Sequence, residues 1–207
     1  MRTGVCCISD SMTISNHAPS TLDILLAPRV DMADNIEITQ TIRNAIKVDH
    51  AGEYGAIAIY SAQNLMARVF YRDLLPTLRQ ILAHERDHMR RFEILRIEYG
   101  ACRCRVFPLW YVGGFALGLM TASLGRNGIR LCTYAVEDTV NRHLEEQIAL
   151  MCIDAPRVAD EIRSIQLQEA EHQHFGETGL KRGGAWRALE ALVRGSTEAV
   201  ILASMRL

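Results

Sequence analysis

Ionisable side chains interrupt the apolar faces of four helical segments in this chain, and no other feature of the sequence constrains its fold as tightly. One stripe runs Ile42, Ile46, Asp49, Glu53, Ala56, Tyr60, and a second runs Leu74, Leu78, Ile81, Glu85, His88, Phe92, Leu95. A third runs Ile129, Thr133, Val136, Glu137, Val140, Leu144, Ile148, Met151, and a fourth Ile162, Ile165, Glu169, His172. Recurrence at three and four residues marks one face of an α-helix. Glu53, Glu85, His88, Glu137, Glu169 and His172 therefore project where a core should be. A carboxylate is almost never fully buried there without a partner or a metal.

Spacing joins these residues into one constellation. A single Glu-x-x-His is a common accident of helical sequences and usually marks a surface pair. Here Glu85-x-x-His88 and Glu169-x-x-His172 both occur, and the separation of Glu53 from Glu85 equals that of Glu137 from Glu169. One constant shift along the chain carries Glu53, Glu85 and His88 onto Glu137, Glu169 and His172, and Asp87 onto Glu171. Two helical hairpins with one repeated ligand set predict an all-α, ferritin-like four-helix bundle with a paired-metal site in its core. Four carboxylates and two imidazoles suit iron or manganese. Glu85 and Glu169, being central, are expected to bridge the two ions, with Glu53 and Glu137 terminal. The competing register, Glu171 with His174, leads back to Leu167 and Ser164, so those two residues are expected outside the metal-binding face. His50 and His84 lie off the ligand stripe and read as structural or surface residues, and His143 lies beside the third stripe.

Composition narrows the surroundings. The 207 residues suffice for one domain, and a net charge of −1 argues against a nucleic-acid partner. Six cysteines form no C-x-x-C pair, and no basic segment followed by a long apolar run opens the chain, so free thiols in a reducing compartment are expected. Residues 1–35, rich in Ser, Thr, Asn, Asp and Pro, read as a flexible leader, with the bundle domain over 36–207. A C-terminal helix is expected over Trp186–Met205, apolar on Leu189, Leu192, Val193, Val200 and Ile201.

Val106–Gly125 carries no charge, which by length alone makes it a candidate membrane span. A single crossing there would put the two hairpins on opposite sides of the bilayer and prevent the paired site from assembling. The segment is therefore expected to lie along the bundle as a crossover helix of about 27 Å. Phe107, Trp110, Tyr111 and Phe115, flanked by Arg103, Arg105 and Arg126, suit docking at a membrane surface. A wholly buried helix is the alternative.

The segment Val48-Asp49-His50-Ala51-Gly52-Glu53-Tyr54-Gly55-Ala56 resembles the first-helix signature of the demethoxyubiquinone hydroxylase family. Glu85-Arg86-Asp87-His88, Pro108-Leu109-Trp110 at the head of an apolar Gly-rich helix, Ala135-Val136-Glu137 and Glu169-Ala170-Glu171-His172 are similar to its later segments. The resemblance runs from about Ile42 to the C-terminus. It implies a non-haem di-iron monooxygenase of ubiquinone biosynthesis, with two Fe ions on Glu53, Glu85, His88, Glu137, Glu169 and His172. The implied substrates are a demethoxy polyprenyl benzoquinol and O2, with electrons traced to NADH. Peripheral attachment through Val106–Gly125 is implied, to the cytoplasmic face of a bacterial inner membrane or the matrix side of a mitochondrial one. Expected partners are a second copy of the chain or other ubiquinone-biosynthesis proteins. The sequence departs from the family at Leu144, where a tyrosine is common. The alternatives are a ferritin-like di-iron quinol oxidase, an iron-binding protein, and a structural bundle whose polar core residues pair with one another.

Overall fold

The computed structural model describes residues 32–206, with side chains from residue 36 onward, so Cys6, Cys7 and the greater part of the expected leader lie outside the described residues. Six helices account for the described chain: α1 (Met32–Phe70), α2 (Leu75–Glu98), α3 (Phe107–Ser123), α4 (Arg126–Met151), α5 (Pro156–Glu177) and α6 (Gly184–Arg206). No strand occurs among the described residues, and the fold is the all-α, ferritin-like bundle that the four stripes predict. α1 begins at Met32, inside the segment read as leader.

Local chemistry sets the helix ends. Pro76, Pro108 and Pro156 each stand in the first turn of their helix, where the missing N–H costs nothing. α2 stops at Tyr99 because Gly100 adopts φ 64°, and the Ala101 N–H then returns to the Arg96 carbonyl at 2.9 Å. Residues 71–74 join α1 to α2 and residues 152–155 join α4 to α5, links short enough to make each pair an antiparallel hairpin.

The apolar stripes divide into two layers with the polar residues between them. Ile42, Ile46, Phe92, Leu144, Ile162 and Ile165 form one layer. Tyr60, Leu74, Leu78, Ile81 and Ile129 form the other. The shift that superposes the two ligand sets also maps Leu78 and Ile81 onto Ile162 and Ile165, in the opposite layer. That is the exchange a two-fold relation between the hairpins produces, and its axis passes through the polar waist.

α3 runs beside α1 and returns the chain so that α4 starts at the correct end. Its N-terminus is pinned by the Phe107 ring, which stacks on Tyr54 at 4.2 Å and on His50 at 5.4 Å. Glycine allows the close approach that follows. A Cβ on Gly114 would lie 2.4 Å from the Gly55 carbonyl oxygen, and one on Gly118 would lie 2.4 Å from that of Ile59. The far side of α3 is open, with Leu109, Val112, Leu119 and Met120 exposed, so the helix is neither wholly buried nor a span. No helix among the described residues is long and apolar enough to cross a membrane. α6 closes the fold against α4 and α1, and the Trp110 indole N–H donates to Ser204 Oγ at 2.9 Å. Leu192, expected on its buried face, is 58% exposed and sits on the rim of a cavity.

Substitution Gly118→Val should force α3 away from α1 and cost about 1–3 kcal/mol, the range for overpacking a closed contact. Gly113→Ala meets no atom within 4 Å and should leave the midpoint unchanged or raise it slightly. Thermal unfolding of the two variants checks this.

Candidate metal centre

α1 supplies Glu53, α2 Glu85 and His88, α4 Glu137, and α5 Glu169 and His172, all of them buried. Because three residues make about one helical turn, each Glu-x-x-His presents both side chains to the bundle axis. The structure brings all six residues together as two overlapping groups, Glu53, Glu85, His88, Glu169 and Glu85, Glu137, Glu169, His172. Within each group the candidate ligand atoms lie within 4.8 Å of one another. Glu85 and Glu169 belong to both. Glu171 and His174, the competing register, are exposed.

The donor set fits a pair of metal ions. Glu53 Oε2, Glu85 Oε1 and His88 Nδ1 are buried with no aligned hydrogen bond among the described residues, an expensive state for polar atoms unless they share a ligand. His88 Nδ1 lies 3.0 Å from Glu169 Oε1, and His172 Nδ1 lies 3.1 Å from Glu85 Oε1 and 2.8 Å from Glu169 Oε2. Both imidazoles thus turn Nδ1 inward. Their Nε2 atoms face outward, that of His88 2.7 Å from Gln168 Oε1 and that of His172 3.0 Å from His84 Nδ1. Gln168 Oε1 can only accept, so His88 carries hydrogen on Nε2 and leaves Nδ1 to coordinate. The internal repeat relates His84 and Gln168 as well. His84 lies off the ligand stripe and so reads as structural or surface, yet the repeat pairs it with the residue before Glu169.

In this state the cluster neutralises itself with protons. Burial alone would lower the two histidines, but the carboxylates of Glu169 and Glu53 lift His88 to about 12, and those of Glu169 and Glu85 lift His172 to about 11. Burial raises Glu85 and Glu137 well above the usual carboxylate range, and the neighbouring Glu169 charge adds to it. Glu169 moves the other way: burial opposes ionisation, but the hydrogen bond from His172 and the charge of the adjacent His88 imidazole hold its carboxyl low. Tyr60 donates its phenol hydrogen to Glu137 Oε1. The residue that the repeat sets opposite Tyr60 is Leu144, buried beside the cavity, and no phenol reaches Glu53 there.

A cavity of about 740 Å³ opens between α1, α3, α4 and α6. Its walls are chiefly apolar, with Trp110, Leu117, Val140 and Ile201 among them, and the buried Glu53, Glu85, Glu137 and Glu169 also line it. His143 lines it too and lies 3.2 Å from Glu198. His50 is buried and lies 3.1 Å from Glu93, whose ion pair with Arg96 holds its carboxyl down at about 2.

The family model described as ubiquinone biosynthesis protein COQ7 matches residues 40–204. A mouse protein named NADPH-dependent 3-demethoxyubiquinone 3-hydroxylase, mitochondrial, is 34% identical over 84% of this chain and 81% of its own length. The human protein of the same name is 33% identical over the same shares. The 3-demethoxyubiquinol 3-hydroxylase of Rhodospirillum rubrum is 32% identical over 78% of this chain and 76% of its own.

The protonated state of the cluster fixes the sign of its pH dependence. Two divalent ions must displace protons from His88, His172, Glu85 and Glu137, about four in all. Affinity should therefore fall as pH drops throughout the range below about 11, and more steeply below about 7, where Glu53 also takes up a proton. Anaerobic Fe(II) titration by calorimetry, in buffers of different ionisation enthalpy, should count that release; binding without proton release would contradict it.

Proposed function

The chain belongs to the COQ7 family of ubiquinone biosynthesis proteins, and on that premise we propose that it is a 3-demethoxyubiquinol 3-hydroxylase, a monooxygenase acting on the ring of a demethoxy polyprenyl benzoquinol. Glu53, Glu85, His88, Glu137, Glu169 and His172 hold two iron ions. The observation that carries this reading is the apolar cavity whose lining includes the four buried glutamates.

A bound pair of ferrous ions supplies the reduction of O2, one oxygen atom entering the ring and the other leaving as water, with two electrons drawn from NADH. The protein's own residues prepare the place for this chemistry. Four carboxylate charges balance the four positive charges of the pair, so the loaded site is neutral and tolerates burial between its two apolar layers. Gln168 and His84 orient the two imidazoles, and Tyr60 holds Glu137. The cavity takes the ring against the glutamates and leaves the isoprenoid tail along Trp110 and Leu117 toward the rim. NADH is the donor implied by the resemblance, and the mammalian relatives are named for NADPH, so the two nucleotides are to be compared directly.

The cavity rim faces the same way as the exposed side of α3. Leu109, Val112, Leu119 and Met120 of α3, with Leu202 and Met205 of α6, form an apolar surface suited to the bilayer that holds the substrate. The protein then works as a peripheral membrane protein. Its seat is the cytoplasmic face of a bacterial inner membrane or the matrix side of a mitochondrial one, the organelle named in the mammalian relatives.

Lipid extracts from cells lacking their own ring hydroxylase test the reaction. Expression of the wild-type chain should restore ubiquinone, whereas Glu85→Ala should leave the demethoxy precursor. A chain that consumes oxygen and leaves the ring unhydroxylated would be a quinol oxidase instead. For the membrane face, the double substitution Val112→Glu with Met205→Glu should lower liposome binding at least tenfold while iron content stays at the wild-type level. Unchanged binding would exclude this surface.

A further inference from the structure

Asp49 stands on α1 one turn before Glu53, about 6 Å along the helix axis, and both residues line the cavity. Across from it on α4, Gln147 also lines the cavity, and its amide Nε2 donates to Asp49 Oδ1 at 2.8 Å. Donation through the nitrogen leaves Gln147 Oε1 without a hydrogen, and Asp49 Oδ2 receives none either; both atoms are buried and have no partner among the described residues. A carboxylate accepts up to four hydrogen bonds and an amide oxygen two, so this pair holds acceptor capacity in reserve, and the second N–H of Gln147 is its one remaining donor when Asp49 is ionised. Asp χ2 is broad and two-fold, so a turn about it brings either oxygen to the cavity wall.

The internal repeat argues that the pair is more than packing. The shift that carries Glu53 onto Glu137 also carries Asp49 onto Thr133 and Gln63 onto Gln147. The other half of the bundle thus holds Thr133 and Gln63 in the related places, both buried and neither lining the cavity. Gln63 Nε2, Gln63 Oε1 and Thr133 Oγ1 have no hydrogen-bond partner among the described residues, so it is the hydrogen-bonded carboxylate and its access to the cavity that set the Asp49 half apart. A carboxylate appears only in the half where a ligand can reach it.

We propose that Asp49 and Gln147 form the subsite that receives a ring hydroxyl of the substrate and so selects the quinol over the corresponding quinone. This rests on the hydroxylase reading above. A quinol brings O–H donors to a pair of acceptors, while a quinone brings only carbonyl oxygens and leaves both acceptors unmet. Seating one hydroxyl at Asp49 sets the ring one helical turn along α1 from Glu53, against the carboxylates that line the cavity.

Equilibrium binding under anaerobic conditions tests this with two probes, a demethoxy benzoquinol bearing a short isoprenoid tail and its oxidised quinone. The two bury the same apolar surface, so their difference reports on the ring oxygens. Measurements at pH 8 keep Asp49 ionised, since burial, partly offset by the Gln147 hydrogen bond, raises its carboxyl to about 7. The wild-type protein should bind the quinol about tenfold more tightly than the quinone, the size expected for a hydrogen bond to a charged group. Asp49→Asn should lose that preference, with iron content and thermal midpoint unchanged. Asp49→Thr, which installs the residue carried by the other half of the repeat, should do the same. If both variants keep the quinol preference, or if the wild-type protein binds the two probes equally, the subsite is overturned and the hydroxylase reading stands. If the wild-type protein binds neither probe, the hydroxylase reading falls and the subsite with it.

Discussion

Four carboxylates and two imidazoles share the waist of this bundle, and most of the structure follows from the need to make that tolerable. Two like charges at 4 Å repel by about 4 kcal/mol even with an effective dielectric constant near 20. The four glutamates cannot all be ionised together without cations among them. Burial and mutual repulsion accordingly raise Glu53, Glu85 and Glu137 above the usual carboxylate range, and the carboxylates raise both histidines. A metal pair would put four positive charges in place of the protons so held. The apolar layers on either side lower the local dielectric around the waist, which makes these interactions stronger and a missing partner more costly.

The two-fold relation between the hairpins explains how one short ligand pattern builds a closed site, and its breaks explain how that site acquires a direction. The related pairs Glu85 and Glu169, His88 and His172, and His84 and Gln168 preserve the symmetry around the metal positions. Tyr60 and Leu144 break it, as do Asp49 and Thr133. Leu144 and Asp49 both line the cavity, and their counterparts do not. The cavity therefore opens on the side where the two copies of the pattern differ.

Much of this is legible in the amino-acid order. A charge on an apolar stripe is costly enough to be informative, so Glu53, Glu85, His88, Glu137, Glu169 and His172 can be read directly. The uncharged Val106–Gly125 segment lies along the bundle, as the need to keep both hairpins on one side requires. Features that depend on tertiary placement are harder. The role of His84 beside His172 requires knowing that α2 and α5 face each other. Leu192 has helical periodicity but sits where α6 overhangs the cavity, so its stripe does not mark burial. The first turns of α1 lack apolar spacing, and the segment before Asn35 therefore reads as leader although the helix begins at Met32.

Anomalous diffraction at the iron edge, from crystals loaded anaerobically with Fe(II), tests the central claim most directly. Two iron peaks are predicted in the waist, one within coordination distance of Glu53, Glu85, His88 and Glu169, the other within reach of Glu85, Glu137, Glu169 and His172. A single peak, or iron bound at other residues while these six remain paired with one another, would contradict it.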